Sequence, residues 1–198
     1  MPREAKNFDH LVGKAKGLSE TQLKAHFTLY QGYVKKLNEI LEKKGGADKG
    51  AVNYSHGDYS ELLRREPVAF NGTVLHELYF ENLGDGSTAP GDATKRLIAD
   101  GFGSFDNWLA DTKAAVASAH GWTVLAWDPA QRKLLNNLIQ SEHHVGLFAN
   151  VQIVCAVDAW EHAYFFDYQT AKAKYVEAVL SGLDWSVIEA RLKGLGAL

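Results

Sequence analysis

Two long segments in the first half of the chain carry apolar residues at the three- and four-residue spacing of an α-helix. The first follows Ser19, which can cap the helix while the side chain of Gln22 reaches back to it, as in a capping box. The pair Gly45-Gly46 predicts that this helix ends before it. The second segment covers residues 59–83. Two long helices joined by a polar loop predict an antiparallel α-hairpin.

The pattern changes after the hairpin. Residues 84–92 are rich in glycine, aspartate and proline, a composition typical of a linker between domains. We therefore divide the chain into an N-terminal helical hairpin domain, residues 1–88, and a C-terminal α+β domain, residues 89–198. Within the second domain, residues 93–119 predict one or two helices, and the chain returns to helix from about Trp160.

Three short segments between those helices are rich in residues that favour β-strands. They cover residues 122–127, 133–140 and 151–157, and the turn-forming pair Asp128-Pro129 separates the first from the second. The predicted fold class is therefore α+β. An N-terminal antiparallel α-hairpin is followed by a C-terminal α/β domain with a three-stranded antiparallel sheet.

The composition narrows the possible functions. The chain has 198 residues and a net charge of −3, which gives no basic excess for binding nucleic acid or an anionic membrane. No apolar run approaches the ~18 residues of a membrane-spanning helix. Cys155 is the only cysteine, which excludes an intrachain disulfide and a cysteine-rich zinc site. The polar N-terminus lacks the apolar core of a secretory signal, so we expect a cytoplasmic protein.

The candidate chemistry lies among eight histidines, although a single histidine is more often a surface or hydrogen-bonded residue than a ligand. Asp158 and His162 are four residues apart and can face the same side of a helical turn. Their apolar surroundings make a buried carboxylate costly unless a cation or hydrogen bonds compensate it. His26 and His76 lie on the apolar faces of the two predicted helices. Three imidazoles and a carboxylate suit iron or manganese and leave an open coordination position.

The sequence Asp-Ala-Trp-Glu-His-Ala-Tyr, which ends at Tyr164, resembles the signature of the iron/manganese superoxide dismutases. Three other stretches are similar to that family, in order and at compatible spacing. They are Leu-His-Glu-Leu-Tyr-Phe-Glu-Asn-Leu around His76, Phe-Gly-Ser-Phe followed by Gly-Trp-Thr-Val-Leu, and the helix that contains His26. The resemblance covers residues from about 18 to 192. It implies conversion of superoxide to dioxygen and hydrogen peroxide by a homodimer or a dimer of dimers.

Carried over position by position, the resemblance implies one iron or manganese ion per subunit, with solvent completing its ligands. The implied metal ligands are His26, His76, Asp158 and His162. Glu161 is implied to reach across a dimer interface to His162 of the partner subunit. Trp122 and Trp160 are implied to line the pocket.

Two stretches depart from the family pattern. Most relatives have a tyrosine eight residues after the first ligand histidine and another histidine four residues after it. Here Tyr33 comes seven residues after His26 and Tyr30 comes four after it. Residues i and i+7 share a helix face, so Tyr33 can still line the substrate funnel. His143, with His144 beside it, stands where relatives place a Gln or, less often, a His that hydrogen-bonds the metal-bound solvent.

Two alternatives to a dismutase remain open from the sequence. A protein of the same fold could bind metal without dismutase activity, which the unusual first helix and His143 favour. A hydrolytic zinc or manganese enzyme could use the same ligands to activate water, but the sequence offers no clear general base for it.

Overall fold

The hairpin predicted for the first half of the chain is present in the computed structural model, which describes residues 2–198. The first helix, α1, covers Glu20–Gly46 and the second, α2, covers Asp58–Glu81. The Ser19 hydroxyl accepts a hydrogen bond from the backbone N–H of Gln22, so the predicted N-cap is confirmed. The prediction that α1 ends before its glycine pair is wrong. Both glycines lie in open space, and a helical glycine costs only about 1 kcal/mol relative to alanine.

Gln22 does not complete a capping box. Its Nε2 donates to the backbone oxygen of His162 at 2.6 Å, and its Oε1 accepts from the backbone N–H of Phe166 at 3.1 Å. The backbone N–H of Ser19 is instead paired with the Asp167 carboxylate. The segment after His162 therefore replaces the reciprocal contact, because it offers a donor and an acceptor to the buried Gln22 amide.

The second half of the chain has the predicted α+β arrangement. Within the described residues, three strands form one antiparallel sheet in the order β2-β1-β3. The strands are β1 (Trp122–Asp128), β2 (Lys133–Ile139) and β3 (Gln152–Asp158). Two helices precede the sheet, α3 (Asp92–Phe102) and α4 (Phe105–Ser118). The α+β class with a three-stranded antiparallel sheet is thus confirmed.

The helical region after Trp160 is interrupted rather than continuous. A short 3-10 helix, Glu161–Ala163, is followed by α5 (Phe165–Tyr168), α6 (Lys172–Ser181) and α7 (Trp185–Gly194). Gln169, which caps α5, has a φ of 48°, so the backbone turns out of helical geometry there.

The hairpin packs directly on the sheet. One cluster of buried apolar residues includes side chains of α1, α2 and all three strands. At the end of α2, the Asn82 side chain both accepts from and donates to the backbone of Ala156 on β3, at 2.9 and 3.2 Å. Residues 84–91 form neither helix nor strand, and the proposed domain division at residue 88 stays a prediction. Within residues 2–198, no helix is both long and apolar enough to cross a membrane.

Candidate metal centre

Four side chains from separate parts of the fold converge between the hairpin and the sheet. They are His26 on α1, His76 on α2, Asp158 at the end of β3 and His162 in the 3-10 helix. One potential ligand atom from each lies within 4.8 Å of the others. Asp158 Oδ2 is 3.2, 3.7 and 3.1 Å from Nε2 of the three histidines. A metal ion bound at about 2.1 Å places neighbouring ligand atoms at such separations.

The burial of the cluster shows that its atoms require a partner. His26, His76 and Asp158 are at most 2% exposed. The Nε2 atoms of His26 and His76 are buried and form no hydrogen bond of acceptable geometry within the described residues, although the carboxylate is close. Unsatisfied buried polar atoms are uncommon in folded proteins and call for an explanation. A metal ion satisfies both nitrogens, so these residues fit one iron or manganese ion.

Asp158 and His162 reach each other by a different local structure from the predicted helical turn. Asp158 ends β3, and Trp160 is still extended, with φ −69° and ψ 150°. The backbone N–H of Trp160 donates to Asp158 Oδ1 at 2.9 Å, an Asx-type contact that turns the chain. The other carboxylate oxygen, Oδ2, is left to face His162. Asp158 and His162 therefore do meet, but the prediction that they do so on one face of a helical turn is wrong.

The protonation states of the cluster favour a cation. Burial lowers the pKa of His26 and lowers that of His76 well below its usual value, so both rings stay neutral at neutral pH. Burial alone would raise the pKa of Asp158, but the adjacent imidazoles of His162 and His26 hold it well below its usual range. A buried carboxylate with neutral imidazoles is the deprotonated set that metal binding requires.

Backbone contacts orient two side chains of the cluster. His76 Nδ1 is hydrogen-bonded to the backbone oxygen of Gly72, which must be the acceptor, so the lone pair of Nε2 points toward the cluster. The Tyr175 hydroxyl donates to the backbone oxygen of Asp158 at 2.7 Å, and the hydroxyl oxygens of Tyr79 and Tyr175 are 3.0 Å apart. Such contacts behind the ligands fix their orientation.

His143 and Tyr33 form a pair beside the cluster. Trp122 Nε1 donates to His143 Nδ1 at 2.8 Å, and His143 Nε2 is 2.8 Å from the Tyr33 hydroxyl. The Trp122 and Tyr33 rings lie 4.9 and 5.3 Å from the His76 ring, centre to centre. The neighbouring His144 turns away, with its Nδ1 on the backbone oxygen of Glu142. The geometry therefore places His143, and not His144, next to the cluster.

Tyr30, on the first ligand helix, contacts the N-terminal segment. Its buried hydroxyl donates to Glu77 at 2.9 Å and accepts from the backbone N–H of Lys6 at 2.9 Å. Burial raises the pKa of Tyr30 to about 12, so the phenol stays protonated. Arg3 also pairs with Glu77, which directly follows His76 of the cluster. Tyr30 thus supports the α1–α2 contact behind the ligands.

The remaining predicted residues lie at the more open side of the site. The Trp160 ring stacks near His162 at 6.4 Å and lies 6.1 Å from the His143 ring. The His162 side chain is 31% exposed, and Glu161 beside it is exposed. The outward side of this ligand is therefore open to solvent or to another chain.

Two supporting residues escaped the functional assignment from the sequence. The sequence pattern gives Gln22 only a capping role, and no signal in the sequence indicates its contact with the His162 segment. Gly72 lies inside a helical pattern, and an interior glycine often has a packing reason. A Cβ at Gly72 would lie 2.5 Å from Cδ1 of Tyr33, so the missing side chain makes room for that ring.

Comparison with known proteins identifies the family of the chain. Residues 90–191 match the family model for iron/manganese superoxide dismutases, C-terminal domain. A superoxide dismutase [Fe] of Aquifex aeolicus is 33% identical, over 93% of this chain and 89% of its own length. A superoxide dismutase [Fe] of Cupriavidus metallidurans is 34% identical over 87% of each chain. A superoxide dismutase [Mn] 2 of Halobacterium salinarum is 32% identical over 83% of this chain and 81% of its own. The chain belongs to the iron/manganese superoxide dismutase family.

Proposed function

We propose that this protein is a superoxide dismutase that uses one iron or manganese ion held by His26, His76, Asp158 and His162. The observation that carries the proposal is the convergence of these four side chains, two of which bury an imidazole Nε2 that has no hydrogen-bond partner among residues 2–198. The names of the relatives, which are iron or manganese superoxide dismutases, support the substrate and the choice of metal.

Held by His26, His76, Asp158 and His162, an iron or manganese ion would supply one-electron redox chemistry, by which two superoxides and two protons give one dioxygen and one hydrogen peroxide. The ligand set supplies one negative charge and three neutral nitrogens, so a 2+ or 3+ ion leaves the site positive and attractive to a small anion. No protein nucleophile or general base is needed for this reaction.

The pair formed by His143 and Tyr33 holds protons beside the site. Trp122 can only donate, so His143 Nδ1 must accept and the single ring proton lies on Nε2, directed at the Tyr33 oxygen. The Tyr33 hydroxyl proton is then free for another acceptor. Burial and the Asp158 charge raise the pKa of Tyr33, so it remains a proton donor at neutral pH.

Trp122 and Trp160 restrict access and exclude water. Trp122 is fully buried against His76, and Trp160 covers the side of His162. A dry, aromatic surrounding strengthens each hydrogen bond and charge within it. It also limits the site to small substrates.

Metal analysis combined with a superoxide-decay assay tests this function. We expect about one iron or manganese ion per chain and rapid superoxide consumption. His162→Ala should lose both, and His10→Ala, an exposed histidine, should keep both. Stoichiometric metal without superoxide consumption would contradict the proposal and favour the same-fold metal-binding protein. Full activity of His162→Ala would contradict the ligand assignment.

The proposal includes a homodimer or a dimer of dimers. The half-buried His162 lies beside exposed Glu161, Phe165 and Phe166, the two phenylalanines being 52% and 64% exposed. An apolar surface next to a ligand imidazole suits an interface across which Glu161 of the partner subunit hydrogen-bonds His162.

Light scattering coupled to gel filtration tests the dimer. Phe166→Asp should shift the protein toward the monomer and lower its metal content. Tyr54→Asp, at a residue that is 94% exposed on the distant helix–helix loop, should leave the dimer intact. A monomeric wild-type protein at high concentration would refute the proposed dimer.

The cytoplasmic location is also proposed, and cell fractionation with an antibody to the chain tests it.

A further inference from the structure

The turn that carries His143 has an unusual backbone. Glu142 and His143 have φ values of 59° and 62°, so two consecutive residues with side chains occupy the left-handed region. Such residues are uncommon, and this backbone conformation persists only where the surrounding structure holds it there. The position of the His143 ring therefore depends on contacts that keep this turn in place.

The main contact to the backbone of this turn comes from α2. Asn71 Nδ2 donates to the backbone oxygen of His143 at 2.8 Å, and the Asn71 side chain is half-buried. Arg65, also on α2, pairs with Glu142 at 2.9 Å, but both side chains are more than half exposed. An exposed ion pair of this kind contributes little. Asn71 is thus the better-shielded link between the turn and the helix that bears His76.

The His143 ring bridges two partners that belong to other elements of the fold. Its Nδ1 accepts from Trp122 on β1, and its Nε2 faces the Tyr33 hydroxyl on α1, both at 2.8 Å. A shift of the turn by a few tenths of an ångström lengthens at least one of these hydrogen bonds. Both hydrogen bonds of the ring keep their length only if the hydrogen bond from Asn71 holds the His143 backbone in place.

We propose that Asn71 is a positioning residue, which acts through the backbone of His143 to keep the Trp122–His143–Tyr33 chain aligned beside the metal site. The inference rests on the proposed function only in assigning a metal to that site. It predicts that Asn71 affects the properties of the metal without affecting how much metal is bound.

The test compares Asn71→Ala, Asn71→Asp and Asn71→Gln with the wild-type metal-loaded protein. Alanine removes the donor, aspartate keeps the shape but presents a carboxylate to the His143 carbonyl, and glutamine keeps an amide. We expect the first two to lower the superoxide turnover number about 10-fold, the lower range for residues behind a metal site. Their midpoint potential should shift while metal stoichiometry stays unchanged. Glutamine should restore part of the turnover.

Asn107→Ala is the matched control, because Asn107 Nδ2 also donates to a backbone oxygen, that of Phe102, but lies on α4, which bears none of the four cluster residues. It should leave potential and turnover unchanged. Wild-type potential in Asn71→Ala would overturn the proposal, as would a loss of activity that only parallels a loss of metal. If the wild-type protein binds metal but consumes no superoxide, the proposed function fails, while the potentials still decide the role of Asn71.

Discussion

The Tyr33 ring lies against the backbone of α2 at Gly72, one helical turn before the ligand His76. A Cβ at Gly72 would lie 2.5 to 2.9 Å from three ring carbons of Tyr33, closer than van der Waals contact permits. The ring is also held by its hydroxyl contact with His143. The absence of a side chain at Gly72 therefore leaves the space that the Tyr33 ring occupies. Tyr33 takes this position although it follows His26 by seven residues rather than eight.

Gly72→Ala should therefore displace Tyr33. Alanine gains about 1 kcal/mol of helix propensity, but overpacking costs about 1–3 kcal/mol, so we expect a net loss of stability. Superoxide turnover should fall about 10-fold with metal retained, since the ligands do not move. Urea unfolding and the superoxide-decay assay measure both effects.

Gly32→Ala serves as the control, because a Cβ at Gly32 meets no atom within 4 Å and the residue is equally helical. It should stabilise the protein by about 1 kcal/mol and leave turnover unchanged. If Gly72→Ala behaved in the same way, the packing argument for Tyr33 would be wrong.

At the scale of elements, the start of α1 is joined to the segment that follows β3. The Ser19 hydroxyl caps the helix, whereas the Gln22 side chain bonds the backbone of both His162 and Phe166. The start of the helix that bears His26 thus positions the turn that presents His162, the last of the proposed ligands.

Ser19→Ala and Gln22→Ala separate these two roles. Loss of the cap should cost about 1 kcal/mol of unfolding free energy and leave metal affinity unchanged. Loss of the Gln22 amide removes two partly buried hydrogen bonds to the backbone, so we expect about 1–3 kcal/mol of destabilisation. Metal affinity should also fall about 10-fold. Competition with a chelator measures the affinity, and equal affinities in the two variants would contradict this division.

The sequence predicts those elements whose signals are local. The three strands begin and end within one residue of their predicted limits, because β-formers and turn residues bound them. The sequence does not predict the turn at Asp158 or the hydrogen bonds of Gln22 to the His162 segment, since each depends on a side chain meeting a particular backbone group. The sequence does not indicate the left-handed backbone at Glu142 and His143 either, because neither residue is a glycine.

For the whole molecule, the four proposed ligands join both halves of the fold around buried titratable groups. His26 and His76 come from the hairpin, whereas Asp158 and His162 follow the sheet. Without metal, the folded state must keep two buried imidazoles neutral and one carboxylate ionised. The pH dependence of stability in the metal-free protein therefore reports on this cluster directly.

The unfolding free energy of the metal-free protein should fall as the pH is lowered from about 6.5. Burial lowers the pKa of His26 and of His76 in the folded state, so below about pH 6.5 the unfolded chain binds more protons and is favoured. Two such groups make the unfolding free energy fall by up to about 2.7 kcal/mol for each pH unit. The pKa of Asp158 is also lowered, so its contribution is present above about pH 3.9 and is lost only at lower pH.

Urea titrations at pH 7, 6 and 5 on chelator-treated protein measure this slope. His76→Gln removes one of the two groups and should reduce the slope by up to half. His10→Gln alters an exposed histidine and should leave the slope unchanged, because that ring is solvated in both states. Adding iron or manganese should raise stability most at neutral pH, since protons and metal compete for the same nitrogen atoms. A flat profile between pH 6.5 and 5 would contradict buried, neutral imidazoles and with them the electrostatic reason for a cation at this site.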